Sequence, residues 1–297
     1  MNMSDTSINS FSLAWSNGAP TAKELQSHVE RDGFVIVKNV FTKDEISRLR
    51  SIVYGHLNKK GARFSLGKTQ PNAALAVPDL QYIFYHDRVV DLFKRLIGPN
   101  ETVFTGHCDI HMNMLSGWHK DSGEVYGGYF KGDYINADDC RVFKMAIYLQ
   151  DATKHDGLTV RIGSHRKLGT TDGAPIQAKT QSGDVVLFDV RLTHTGQLPD
   201  NIEKGIKALN IALKGSDRRV EDHPLATKFK GIYWKLINRR DRLSIFFTFG
   251  KNNAYTQQFA QANMSRQNTQ AGLKTIELPK ELITAFNNYN VMVATAT

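Results

Sequence analysis

From about residue 102 onward the chain reads as a series of short apolar runs divided by Gly, Asp and Asn, and this pattern constrains its fold more than any other feature. The runs at 103–114, 142–150, 158–162, 185–188, 206–213 and 243–249 are candidate strands. Helices do not alternate with them, so the pattern predicts an antiparallel sandwich or barrel rather than a parallel α/β sheet. The first hundred residues have a different texture. Residues 21–31 carry helical spacing, and Gly33-Phe34-Val35-Ile36-Val37 reads as a short strand. Thr42-Lys43-Asp44-Glu45 is a capping box, in which hydroxyl and carboxylate each satisfy a free backbone N–H at a helix start. The helix it opens runs to about Leu57, with Ile46, Leu49, Ile52 and Val53 on one face. A further helix is expected from Asp87 to Ile97, stopped by Gly98-Pro99, and a last one over 256–267. With no internal repeat and no low-complexity linker, 1–297 is expected to form one domain. Its parts are helical support over 1–100, a strand core over 101–250, and a C-terminal helix and tail over 251–297.

The sharpest chemical signal is Trp118-His119-Lys120-Asp121, directly after a candidate strand. Residues i and i+2 of an extended chain share a face, so His119 and Asp121 can bind one metal. A second histidine from a distant strand would complete a facial triad with open positions for other ligands. His-x-Asp alone arises often by chance. His194 strengthens it, because the segment from Gly183 to Gly196 reads as a strand, a tight turn and a second strand ending in histidine.

These blocks resemble the phytanoyl-CoA dioxygenase family of Fe(II)/2-oxoglutarate oxygenases. The likeness runs from Asp32-Gly33-Phe34 through Trp118-His119-Lys120-Asp121 to Gly163-Ser164-His165-Arg166 and the His194 segment, roughly residues 25–250. It implies a double-stranded β-helix, a jelly-roll core that is mainly β with flanking helices. It also implies iron held by His119, Asp121 and His194, with 2-oxoglutarate and O₂ as cosubstrates. The activity implied is oxidation of a small organic substrate, by default hydroxylation, with release of succinate and CO₂. Desaturation, ring closure and epoxidation need the same residues. Halogenation is disfavoured, because Asp121 fills the position that halide would take.

The family normally places an Arg for the distal 2-oxoglutarate carboxylate about ten residues after the second histidine. Here 197–213 holds no Arg, only Lys204 and Lys207. Arg242 opens the later strand and shares a face with Ser244, resembling the Arg-x-Ser clamp of related oxygenases. The expected clamp is therefore Arg242 with Ser244, ahead of Lys207 or Lys204, with Lys144 a further alternative. If Arg242 is the clamp, residues 198–240 are an insertion, and Arg218, Arg219, Lys228, Lys230 and Lys235 sit near the site mouth.

In the run 103–114 the odd positions, among them Thr105, His107, Asp109, His111 and Asn113, are polar while the even ones are mostly apolar. One face then suits a packed layer and the other a wet pocket, so His107, Asp109, His111 and Asn113 are candidate pocket residues, with Trp118 beside the metal motif. His165 is expected to brace a loop. His28, His56, His86, His155 and His223 have no ligand partners in their sequence context.

The formal net charge is +9 and the pI near 9.4, but the basic residues are spread, with small clusters only at Lys59-Lys60, Arg218-Arg219 and Arg239-Arg240. No zinc-finger, homeodomain or RNA-binding pattern goes with them, so the expected partner is a small and possibly anionic molecule rather than nucleic acid. The Ser- and Asn-rich start lacks an apolar signal core, and no run of about 18 apolar residues exists, so no membrane partner is expected. Cys108 and Cys140 form neither a metal pair nor a disulfide framework, which points to the cytoplasm. Two other classes stay open: a metal-dependent cupin-like enzyme without 2-oxoglutarate, and a non-catalytic binding protein on the same fold. The oligomeric state is not legible.

Overall fold

The computed structural model describes residues 9–15, 18–123, 128–153, 157–215, 220–271 and 277–294. In chain order it runs β1 (Ser12–Ala14), α1 (Ala22–Asp32), β2 (Phe34–Lys38), α2 (Lys43–Lys60), β3 (Ala62–Phe64), β4 (Gly67–Gln70), α3 (Ala73–Ala76) and α4 (Asp87–Ile97). There follow β5 (Thr102–Met112), β6 (Val142–Tyr148), β7 (Leu158–Arg161), β8 (Pro175–Ala178), β9 (Val185–Asp189) and β10 (His194–Thr195). The chain ends with α5 (Asn201–Lys214), α6 (Pro224–Leu236), β11 (Leu243–Lys251), α7 (Ala254–Ala271), α8 (Lys280–Asn288) and β12 (Met292–Val293).

The strands form a large sheet ordered β1-β2-β9-β6-β11-β5-β4-β3, with β12 added beside β5, and a small sheet ordered β10-β7-β8. Strict alternation along the central strands gives the large sheet two different faces. Val35, Met145, Ile147, Leu187, Ile245 and Phe247 point to one side and join a core under the N-terminal helices. Phe34, Ile36, Ala146, Tyr148, Val186 and Phe188 point to the other and pack on Leu158, Val160 and Ile176 of the small sheet. This two-sheet sandwich with helices outside one face is the jelly-roll core with flanking helices.

Local chemistry explains the helix starts. Thr21 with Glu24 and Thr42 with Glu45 form reciprocal capping boxes at α1 and α2. Gly33 ends α1 at φ +86°, and a Cβ there would lie 2.5 Å from Leu192 and 2.7 Å from His165. Only glycine fits both the left-handed backbone and that approach.

One expected strand is corrected. Residues 206–213 lie inside helix α5, which opens with a third capping box, Asp200 with Glu203. Val, Ile and Leu suit a strand only where a sheet offers a partner, and here Ile206 packs with Leu66, Leu115 and Ala226 instead. Residues 198–240 thus contain a helix pair, α5 and α6, between β10 and β11.

Candidate metal centre

His119 and His194 face each other across an isolated antiparallel bridge. The His119 N–H donates to the His194 carbonyl at 3.0 Å, and the His194 N–H returns the bond at 2.9 Å. Asp121, two residues on, donates its N–H to the Val190 carbonyl at 2.9 Å. The backbone therefore places all three side chains on one side. Lys120 between them points the other way, is buried, and donates to the carbonyls of Ser164 and Arg191. It ties the His-x-Asp loop to the Gly-Ser-His turn and to the turn before His194. That second turn is fixed by Arg191, whose guanidinium forks onto Asp189 at 2.9 and 2.7 Å.

One donor atom from each of His119, Asp121 and His194 can be chosen so that all lie within 4.8 Å of one another. His194 Nε2 lies 3.3 Å from Asp121 Oδ2, and His119 Nε2 lies 3.8 Å from Oδ1. Both Nδ1 atoms bond to backbone carbonyls, His119 to Gly117 at 2.9 Å and His194 to Leu192 at 3.0 Å. A carbonyl only accepts, so each Nδ1 carries a proton, and in the neutral ring each Nε2 then presents a lone pair. Two neutral imidazole nitrogens and a carboxylate converging on one point fit a divalent transition metal.

The electrostatics agree with that form. Burial pushes the His194 imidazole down to about 3, with His119 adding to the effect and Asp121 opposing it. Burial would raise the Asp121 carboxyl, but Lys144, His194 and His119 outweigh it and hold the group well below the usual carboxylate range. Lys144 Nζ lies 2.6 Å from Asp121 Oδ2, a close charge-assisted contact. It is a buried lysine on β6, an isolated charge in the otherwise apolar run Val142–Tyr148, and that isolation was the available signal for it.

Arg242 and Ser244 both lie at the start of the β11 segment and are buried. The Arg242 guanidinium rests against Gly196, two residues past His194, at 3.6 Å from where a Cβ would stand. Ser244 pairs in register with His111 and Tyr148. Lys204 and Lys207 occupy exposed positions on α5, a helix rather than a sheet strand. Lys230 is buried and donates to the carbonyls of Leu66 and Asn113, while Lys228 and Lys235 are exposed. Arg218, Arg219 and His155 lie outside the described residues.

The polar face of β5 is divided among three tasks. His107 bonds Thr248 Oγ1 at 2.8 Å and Asp109 at 3.2 Å, and Asp109 accepts from Gln267 of α7. His111 is half-buried, and its imidazole is pushed down to about 4, chiefly by burial, with Lys144 and Arg242 adding to that and Asp109 opposing. Asn113 adopts φ +59°, and its Oδ1 accepts the Arg242 N–H at 2.8 Å, so it positions the start of β11. Trp118 is half-buried under the Arg161 guanidinium, 4.5 Å from the ring centre.

A family model described as phytanoyl-CoA dioxygenase matches residues 29–197. No curated protein sequence matches the chain. Similar solved structures include SnoN, a non-heme alpha ketoglutarate dependent epimerase from nogalamycin biosynthesis, at 14% identity and TM-score 0.53, covering 77% of this chain and 82% of that one. The carbocyclase SnoK of the same biosynthesis aligns at 15% identity and TM-score 0.52, covering 79% and 87%. EctD from S. alaskensis with bound Fe aligns at 17% identity and TM-score 0.54, covering 80% and 79%. At these identities the likeness is one of fold.

Proposed function

The chain belongs to the phytanoyl-CoA dioxygenase family and is an Fe(II)- and 2-oxoglutarate-dependent oxygenase, and from that premise we propose that His119, Asp121 and His194 hold its iron while Arg242 and Ser244 hold 2-oxoglutarate. The observation that carries the assignment is the pair of Nε2 lone pairs facing Asp121, each fixed by an Nδ1–H bond to a carbonyl. With iron, 2-oxoglutarate and O₂ bound, the chemistry supplied there is oxidative: cosubstrate is decarboxylated to succinate and a small organic substrate is oxidised, by default hydroxylated.

The chain's own residues then divide the work. His119, Asp121 and His194 would hold the iron from the side on which their donor atoms converge, as a facial set that suits exchangeable further ligands. Arg242 offers a planar fork to the distal carboxylate, and Ser244 a hydroxyl on the same face. Asn113 sets the Arg242 backbone, and Lys120 and Arg191 fix the two loops that carry the ligands. Lys144 adds positive charge beside Asp121, which together with Arg242 suits an anionic cosubstrate and is compatible with an anionic substrate. Phe188, 4.9 Å from the His194 ring, shields that side from water. A cytoplasmic location accords with two free, buried cysteines; among the described residues no helix is long and apolar enough to cross a membrane.

Anaerobic Fe(II) titration tests the reading. The parent should bind one iron per chain, and His119→Ala, Asp121→Ala and His194→Ala should each weaken binding on the order of a hundredfold or more, with unchanged circular dichroism. A variant that keeps full iron affinity overturns its assignment. Succinate release across a substrate panel then identifies what is oxidised.

A further inference from the structure

Helices α5 and α6 are inside out. The buried positions of α5 are Glu203 and Asn210, and those of α6 are Ala226, Lys230 and Trp234. Glu203 is fully enclosed, accepting from Trp234 Nε1 at 2.7 Å, Arg239 at 2.9 Å and Gln197 at 3.2 Å. The outward side is apolar. On α5 it carries Ile202, Leu209 and Leu213, with Gly205, Ala208 and Ala212 between them. On α6 it carries Leu225, Phe229, Ile232 and Leu236, with Lys228 and Lys235 along the edge of the row. Leu236 is 78% exposed, Ile202 54% and Phe229 49%. Of the 14 large hydrophobic side chains exposed among the described residues, 11 fall between Leu198 and Ile237. Water-facing helices show the reverse arrangement, and a concentrated apolar patch marks an interaction surface.

The charge of this segment selects the partner. Residues 198–240 hold ten Lys and Arg against five Asp and Glu, a surplus of five within a whole-chain net charge of +9. Two copies of such a face repel each other, which argues against self-association. Nucleic acid would leave the leucines and phenylalanine unmatched. An anionic bilayer matches both parts: apolar side chains enter the boundary between headgroups and acyl chains while lysines meet phosphates. We propose that the outward face of α5 and α6 is a peripheral docking surface for anionic lipid membranes. Sequence led to no membrane partner because it offered no span and no signal. A docking face needs neither. The same segment joins His194 to Arg242 along the chain.

Vesicle flotation of the full-length protein tests this, and it is run without added iron so that its result is independent of the metal assignment. Phosphatidylcholine vesicles containing about one third phosphatidylglycerol should carry the protein upward, and pure phosphatidylcholine vesicles should not. Phe229→Ser/Leu236→Ser should lower the partition coefficient roughly tenfold or more. Lys228→Gln/Lys235→Gln should lower it roughly twenty-five-fold, since each lysine near an anionic surface contributes about fivefold. These side chains are exposed, so melting temperatures should be unchanged, and Leu236→Ser alone serves if the double variant melts early. The proposal is overturned if the parent does not float with anionic vesicles or if the apolar variants float equally well. It is also overturned if light scattering finds a dimer that the same substitutions break, which would make the occupant a second copy.

Discussion

Arg242 shows how much depends on one side chain. Its backbone N–H is held by Asn113, its guanidinium reaches the Met114 carbonyl, and it lies against Gly196 beside the second histidine. A charge-assisted bond to a carboxylate is worth on the order of 1.5–3 kcal/mol. Arg242→Ala should therefore raise the apparent 2-oxoglutarate constant roughly ten- to a hundredfold. Lys207, exposed on α5, serves as the control, and Lys207→Ala should change the constant by only a few-fold. Steady-state titration of 2-oxoglutarate decides the matter. A large effect in Lys207→Ala together with normal binding in Arg242→Ala would move the clamp to the helix and leave the iron triad standing.

Among the elements, α5 depends visibly on its cap. Its outward face is apolar and water-exposed, so burial contributes less than for α2 or α4, whose apolar rows sit in the core. Asp200 accepts the Glu203 N–H at 2.9 Å and also receives the Tyr233 hydroxyl at 2.9 Å, joining the start of α5 to α6. Losing such a cap costs about 1 kcal/mol, with a range of roughly 0.5–2. Asp200→Ala should lower unfolding free energy by that amount in urea titration, with most of the effect recovered in Asp200→Asn. An unchanged midpoint for Asp200→Ala would show that the buried Glu203 cluster alone holds the pair. Histidine plays a similar role elsewhere: His86 and His223 accept backbone N–H bonds at the starts of α4 and α6.

At the scale of the whole molecule, two histidines whose imidazoles are held neutral, His194 and His111, make the fold acid-sensitive. Burial pushes His194 down to about 3 and His111 down to about 4. An unfolded chain protonates both near pH 6.5, before the folded chain does. Between about pH 6.5 and 4 the unfolded state thus binds more protons, and stability falls as the pH falls. Metal-free protein should lose stability across that window, by a few kcal/mol in sum. His111→Gln should make the loss measurably shallower in pH-dependent thermal melts. Equal slopes for parent and variant would mean that water reaches His111 freely in the folded state.

Short apolar runs divided by Gly, Asp and Asn were enough to specify an antiparallel sandwich or barrel, and the family resemblance narrowed that to a jelly roll. The sequence by itself also determined the capping boxes of α1 and α2 and the face shared by His119 and Asp121, which depend on residues two or three positions apart. Packing settled the rest. Ile206 and Leu209 are compatible with strand or helix by composition; the Asp200 capping box marks a helix start locally, and contact of Ile206 with Leu66, Leu115 and Ala226 holds the segment as a helix. Lys144 reached Asp121 only through the pairing of β6 with β9 and β11, which no local spacing encodes. Asn113, a pocket candidate by alternation, became a support for Arg242 because the chain turns left-handed there. The outward face of α5 and α6 could not be read from composition either, since which side of a helix is buried is settled by what packs against it.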